Sequence, residues 1–457
     1  MKKDDLIQVT IEDLSSDGLG IGKCEGIVVF IKDTVIGDTV QARVMKMKKN
    51  YGYARLETIL RPSPDRVDPP CPIARPCGGC QIQAMSYPAQ LRFKEEKVRS
   101  NLIRIGGFSG DSLPMEKIIG MEEPFHYRNK AQYPIGKDRN GNPAAGFYAG
   151  HTHTIIPCRN CLIGQENNQD ILECVMTYMR NYKIPEYQEE TGTGLIRHVM
   201  IRNAVHTGQI MVCIVAAADR LPREKELCGL LSKIPGMTSI VLNTNKARTN
   251  VILGPAMRTL WGTDTITETI GTVKFSISAH SFFQVNTRQT EKLYGKALEY
   301  AALTGKETVW DLYCGIGTIS LFLANKARYV YGVEIVPEAI EDARKNAREN
   351  HITNAVFFVG KAEEVLPEKY RSGHICADVI VVDPPRKGCE QSVLDTMIRM
   401  APSRIVYVSC DSATLARDLK ILCGKGYRLE KICPTDQFPM TVHVETCCLL
   451  TRYSGAG

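Results

Sequence analysis

Apolar and polar positions change rhythm along the chain, and each change marks a new kind of element. Over residues 6–60 short β-branched runs alternate with glycine and aspartate turns: Ile7-Gln8-Val9-Thr10-Ile11, then Ser16-Asp17-Gly18-Leu19-Gly20, then Gly26-Ile27-Val28-Val29-Phe30. Strands at such regular spacing predict a small β-barrel. Arg61-Pro62-Ser63-Pro64-Asp65-Arg66-Val67-Asp68-Pro69-Pro70 reads as a stiff linker and a domain boundary. Residues 93–105 space apolar side chains among lysine and glutamate as an amphipathic helix does, and 125–272 are mixed and strand-heavy. From residue 282 onward helices and strands alternate. Residues 289–302 read as helix, 308–312 as strand, 319–324 as the start of a helix, 329–333 as strand, 337–350 as helix and 356–359 as strand. That rhythm predicts a doubly wound α/β domain.

At 457 residues the chain has room for about three domains of ordinary size. Its 57 basic and 50 acidic residues leave a net charge of +7, which permits an RNA partner without demanding one. The start, Met1-Lys2-Lys3-Asp4-Asp5, lacks the apolar core of a secretion signal, and no apolar run is long enough to span a bilayer. A cytoplasmic protein without a membrane partner is expected. There thiols stay reduced, so the 17 cysteines are to be read as buried, catalytic or metal-binding. In the barrel, Lys46, Lys48, Lys49, Tyr51, Tyr53 and Arg55 interleave cations with aromatics, which suits a phosphate backbone and a stacked base. A β-edge guarded by lysines explains the same residues equally well.

Two cysteine patterns stand out. Cys71, Cys77-Gly78-Gly79-Cys80 and, far downstream, Cys158-Arg159-Asn160-Cys161 could hold zinc in two short knuckles. Zinc leaves Cys71 unexplained, which favours an iron-sulfur cluster on Cys71, Cys77, Cys80 and one of the later pair. The other pattern is Cys410, which ends an apolar run and precedes a helix-like stretch. A lone cysteine is usually an inert buried hydrophobe. Company changes that balance: Asp383-Pro384-Pro385-Arg386 closes the strand 379–382, and Glu445 lies in Thr441-Val442-His443-Val444-Glu445-Thr446.

After the first strand of the α/β region comes Asp311-Leu312-Tyr313-Cys314-Gly315-Ile316-Gly317, which lacks the third glycine of a dinucleotide motif and a P-loop lysine. A nucleoside donor without phosphates, S-adenosyl-L-methionine, fits better. Glu334 follows Gly317 by 17 positions, a spacing that suits a ribose anchor, although a surface glutamate before Pro337 is the plain alternative. With a methyl donor the residues define a reaction. The Cys410 thiolate adds to C6 of a uracil, C5 becomes nucleophilic and takes the methyl group, and Glu445 removes the C5 proton so that the thiolate leaves. A stacked base exposes neither face, so the nucleotide must be flipped out.

These motifs resemble the RNA (uracil-5-)-methyltransferase family, in its TRAM-containing iron-sulfur branch acting on 23S ribosomal RNA. The resemblance also covers Ser281-Phe282-Phe283-Gln284-Val285-Asn286, Thr414-Leu415-Ala416-Arg417-Asp418 and Phe438-Pro439-Met440-Thr441. It implies an OB-like TRAM barrel over 1–62, an α+β central iron-sulfur and RNA-binding domain over 63–92 and 125–275, and a Rossmann-like methyltransferase domain over 93–124 and 276–457. By the same resemblance Gln284, Tyr313, Glu334 and Asp383 contact S-adenosyl-L-methionine, Cys410 is the nucleophile and Glu445 the base. Cys71, Cys77, Cys80 and Cys161 ligate a 4Fe-4S cluster, with Cys161 chosen over Cys158 by its sequence context. Thr318 stands where some relatives carry a donor-binding asparagine, so it is left out. Rival readings are transfer RNA as substrate, a radical methyltransferase, and a non-catalytic RNA-binding or ribosome-assembly protein. The radical route expects a C-x3-C-x2-C loop that Cys71 and Cys77 do not form.

Overall fold

In a computed structural model of the chain, residues 1–453 are described apart from 139, 151, 153 and 374. They group into two compact units: one of Met1–Lys94, Phe147–Ile156 and Phe438–His443, the other of Glu95–Gly146, Pro157–Gln437 and the chain from Val444 onward. The three-domain division expected from the sequence is finer than this, and its central and methyltransferase parts both fall largely in the second unit. Among the described residues no helix is long and apolar enough to cross a membrane.

The first unit carries the expected barrel. Strands β1 (Leu6–Leu14), β2 (Gly20–Cys24), β3 (Ile27–Ile31), β4 (Thr39–Met47) and β5 (Tyr51–Arg61) close in the order β1-β2-β3-β5-β4. The period-two alternation of β1 sends Ile7, Val9 and Ile11 inward against Val29, Ile31, Val40, Ala42 and Val44, which is why this stretch folds as strand. The proline-rich segment that follows is tied down: Asp38, wholly buried, takes the Arg66 guanidinium at 2.6 Å and the Ser63 N–H at 2.9 Å. Helix α1 (Ala74–Cys77) ends in the cysteine segment, and α2 (Tyr87–Asn101) begins six residues before the helix expected from residue 93.

Strands β6 (Lys130–Lys137), β7 (Pro143–Tyr148), β8 (Ile155–Pro157), β9 (Ile196–Asn203), β10 (Ile210–Ala216), β11 (Met237–Thr244) and β12 (Ala256–Gly262) form one sheet in the order β12-β11-β10-β9-β6-β7-β8. Every residue of β9 and β10 is buried, as central strands covered on both faces must be. Helices α3 (Asn168–Asn181) and α4 (Glu224–Leu231) belong to this region, and the hairpin β13 (Ile266–Ile270) and β14 (Val273–Ile277) leads out of it.

The α/β part follows. Its strands are β15 (Thr308–Leu312), β16 (Tyr329–Glu334), β17 (Ala355–Val359), β18 (Val379–Val382), β19 (Arg404–Ser409), β20 (Tyr427–Thr435) and β21 (Glu445–Arg452), in the order β17-β16-β15-β18-β19-β21-β20. Its helices are α5 (Thr287–Ala301), α6 (Thr318–Ala324), α7 (Pro337–Glu349), α8 (Ala362–Gly373), α9 (Gln391–Met400) and α10 (Ser412–Cys423). The first five strands are parallel, whereas β21 runs antiparallel to both β19 and β20. One apolar core runs from Met200 and Val215 of the preceding sheet through Phe275 and Leu293 to Val381, Val406 and Cys447.

Candidate active site

Strand order reverses between β15 and β18, so the crevice beyond their carboxyl ends is where an open sheet of this kind receives a ligand. The chain leaves β15 through a tight turn. Tyr313 sits at φ +67°, a left-handed conformation that costs a non-glycine residue of order 1 kcal/mol or more, and its N–H is pinned to the Val333 carbonyl at 3.0 Å. Gly315, at φ +54°, has open space where a Cβ would stand, which leaves its backbone free for close approach. At Gly317, φ +81°, a side chain would instead crowd Phe357 and Ala343. Glu334 ends β16 facing this turn. Its carboxylate accepts the N–H groups of Ile335 at 2.8 Å and Val336 at 3.1 Å, and that of Gly315 at 3.3 Å. The acid is thereby held in one orientation at the lip of the crevice.

Asp311 lies beneath. It is fully buried, one oxygen accepts the Ser320 hydroxyl and the other has no partner among the described residues, and burial pushes its carboxyl up to about 7.

On the other side of the switch point, register brings the reacting groups together. Ser409, the last residue of β19, pairs with Thr446 of β21. One step further along these antiparallel strands come Cys410 and Glu445, and the Glu445 charge acts on the Cys410 thiol. Cys410 is fixed between strand and helix because Asp411 caps α10, its side chain accepting the N–H groups of Ala413 at 2.9 Å and Thr414 at 3.0 Å. Burial, then the charges of Glu445 and Asp383, push the thiol up to about 12, and Arg386 works in the opposite direction. Glu445 is 3% exposed, and burial followed by the Asp383 charge raises it to about 8. Burial raises Asp383 to about 7. A thiol, two carboxyls poised near neutrality and one exposed cation therefore act on one another at the ends of β18, β19 and β21. Such a cluster can move protons at neutral pH and can stabilise an incoming cation.

The remaining expected residues are placed as follows. Gln284 is half-buried on the segment between β14 and α5, where its carbonyl accepts the Asn129 amide at 2.9 Å. Thr318, left out of the expected site, bonds the Tyr294 hydroxyl at 3.1 Å. Cys71, Cys77 and Cys80 lie in the first unit and are partly exposed, with Gly78 at φ +66°. Cys158 and Cys161 lie in the second. The Cys161 thiol is held down to about 6, first by its bond with the Cys158 thiol and then, against burial, by the N–H groups of Gly164 and Ile163 and the Arg128 charge. Among the described residues no three His, Cys, Asp or Glu side chains are grouped so as to hold a metal ion. Two residues of the candidate site, Arg386 in the cluster and Asp311 beneath the glycine loop, escaped selection from sequence. Arg386 stood in the quoted Asp-Pro-Pro-Arg turn and Asp311 at the head of the glycine loop, so the signal for each was adjacency to a residue already chosen.

Residues 262–453 match the family model described as tRNA (Uracil-5-)-methyltransferase, and residues 5–56 match the TRAM domain. The chain is 50% identical to an uncharacterized RNA methyltransferase of Halalkalibacterium halodurans, over 98% of either chain. It is 48% identical to an uncharacterized RNA methyltransferase of Clostridium tetani, over 99% of this chain and 98% of that one. Among solved structures it is similar to the tRNA (uracil-54, C5)-methyltransferase of Pyrococcus abyssi, determined with S-adenosyl-L-homocysteine. The TM-score is 0.79 at 28% identity, covering 97% of this chain and all of the other.

Proposed function

Because the chain belongs to the S-adenosyl-L-methionine-dependent uracil-5 RNA methyltransferase family, we propose that it methylates C5 of uridine in 23S ribosomal RNA through a covalent Cys410 adduct. The observation that carries the chemistry is the pairing of β19 with β21, which sets a thiol beside a buried carboxyl of raised pKa. The crevice suits the donor: Glu334 faces the ribose, the backbone at Gly315 admits close approach, and Tyr313, Gln284 and Asp383 complete the contacts. When bound, the donor supplies the methyl group as a cationic sulfonium.

The chain's own residues do the rest. Cys410 loses its proton through the Asp383/Glu445 pair to solvent, with the Arg386 charge favouring the thiolate. Its sulfur adds to C6 of the flipped uracil, and the electron pair of the C5–C6 bond becomes available at C5. Once C5 has been methylated, Glu445 takes the C5 proton, the double bond re-forms and the C6–S bond breaks. The thiolate is thereby regenerated.

Two outcomes follow from this scheme. Glu445 accepts a proton only when ionised, and its carboxyl is raised to about 8, so kcat/KM is expected to climb as pH rises from 6 to 8. A pH-rate profile that is flat or falling over that range contradicts the assignment. Glu334→Gln replaces an ionised acceptor by a weaker neutral one and is expected to raise the Kd for S-adenosyl-L-homocysteine by about tenfold, read by calorimetry, because hydrogen bonds to a charged group are worth about 1.5–3 kcal/mol.

Cys71, Cys77, Cys80 and Cys161 are the ligands proposed for a 4Fe-4S cluster. The thiolate character of Cys161 supports the choice, since clusters are held by thiolates. The described geometry does not gather a ligand set, and no step of methyl transfer runs through the cluster.

Transfer RNA is the second reading, favoured by one observation. The Pyrococcus abyssi structure, which matches 97% of this chain, is of an enzyme whose substrate is transfer RNA. Possession of an N-terminal barrel therefore does not by itself select ribosomal RNA. Incubating the protein and labelled donor with unmodified 23S ribosomal RNA or unmodified transfer RNA, then digesting to nucleosides, separates the two. The favoured reading expects 5-methyluridine from the ribosomal RNA alone.

A further inference from the structure

Resting on the reading of the chain as an RNA uridine methyltransferase, we propose that Lys130, Arg202 and His280 form a binding site for a phosphate of the RNA backbone, beside the segment that carries Phe282 and Gln284. Strands β6 and β9 are antiparallel, and their register sets Lys130 directly opposite Arg202. Like charges so placed repel each other, and proteins ordinarily avoid the arrangement or insert a carboxylate. None is inserted here. Among the described residues Lys130, Arg202 and His280 make no ion pair; the charges felt by Lys130 are those of Arg202, Arg128 and the Cys213 thiol, and those felt by His280 are Arg202 and Lys130. Asp342 accepts the Ser281 hydroxyl at 3.0 Å and does not figure among the charges felt by Lys130 or His280.

Arg202 forms the floor of the site. It is 3% exposed and donates to the carbonyls of Ala279, at 3.2 Å, and Ser281, yet its Nε has no partner among the described residues. Stapling this loop explains one arm of the guanidinium. It explains neither the unpaired Nε nor the lysine opposite. Lys130 is half-buried, and burial followed by the Arg202 charge pushes its amine down to about 8. His280 is exposed and marks the mouth. Burial and the Arg202 and Lys130 charges hold the His280 imidazole below its ordinary range, so it offers a neutral ring at the mouth. A buried guanidinium and a half-buried amine that make no ion pair among the described residues are complementary to an anion that arrives from solvent. The neighbouring Phe282 is 72% exposed, and an exposed aromatic beside a cationic site is the combination that single-stranded nucleic acid uses for base and backbone together.

The test uses the full chain, a fluorescein-labelled RNA stem-loop with uridines in its loop, and anisotropy titrations over a range of potassium chloride. Lys130→Gln is expected to weaken RNA binding about tenfold and to flatten the slope of log K against log salt by about 1, the signature of one lost phosphate contact. Lys130→Arg should restore both. Affinity for S-adenosyl-L-homocysteine, measured in parallel, should stay the same in all three proteins and shows that the variants are folded. If Lys130→Gln binds RNA with unchanged affinity and slope, the phosphate site is wrong although the methyltransferase reading stands. If the variant loses donor affinity instead, the cluster serves the donor carboxylate and the inference is overturned. A wild-type protein that neither binds nor methylates RNA overturns the underlying reading, and the site with it.

Discussion

Cys410→Ala is expected to abolish methyl transfer, with a fall on the order of 10⁴-fold to 10⁶-fold, the scale on which loss of a catalytic nucleophile is felt. No residual pathway is available, because C5 of uracil is a poor nucleophile until C6 carries an added group. The effect should be confined to chemistry. Cys410 is only half-buried, at the turn between β19 and α10, and the turn is held by the Asp411 cap rather than by the sulfur. Donor affinity should therefore be unchanged by calorimetry, and the melting temperature should move little. Removing the thiol also removes a group whose ionisation is opposed by Glu445 and Asp383, so the alanine variant has no new electrostatic penalty to carry.

Glu445→Gln should separate addition from release. The amide fills the same space but cannot take the C5 proton, so turnover is expected to fall about 10²-fold to 10⁴-fold while the methylated RNA stays bonded to the protein. That accumulation distinguishes the base from a residue that merely supports the fold. Stability gives an independent check, with a definite sign. Glu445 has a folded pKa of about 8, above the ordinary value of 4.5, so the folded state holds its proton through a window in which the unfolded chain has already lost it. The wild-type protein should accordingly lose stability as pH rises from about 4.5 to 8. Glu445→Gln removes that loss, and its melting temperature relative to wild type should be higher at pH 8 than at pH 5. A variant that turns over at the wild-type rate is not missing its base.

The strand ends that carry the candidate site were legible in the sequence because parallel sheets announce themselves locally. Each run such as Val379–Val382 or Arg404–Ser409 is apolar, short and followed by a turn, and the candidate residues Asp383 and Cys410 sit at those ends. Glu334 and Asp383 could be picked out for the same reason. Pairing could not be read in this way. Glu445 stands beside Cys410 because β21 inserts antiparallel between β19 and β20, and no local pattern states which strand a given run will join. Lys130 and Arg202 illustrate the same limit, since each looks like an ordinary polar residue until the β6–β9 register sets them face to face. The segment 61–70 was legible as proline-rich but not as anchored, because its anchor, Asp38, lies on the barrel. Cysteine spacing pointed to a cluster, whereas among the described residues no three His, Cys, Asp or Glu side chains are grouped so as to hold a metal ion.

The most direct test of the central claim uses RNA carrying 5-fluorouridine. Fluorine at C5 cannot leave as a proton, so an enzyme that adds Cys410 to C6 and methylates C5 is trapped on its substrate. The protein, labelled S-adenosyl-L-methionine and fluorinated 23S ribosomal or transfer RNA are incubated and run on a denaturing gel. A labelled protein–RNA band with ribosomal RNA, absent for Cys410→Ala, is the expected result. A band with transfer RNA alone keeps the covalent chemistry and replaces the substrate; no band with either RNA contradicts the covalent mechanism.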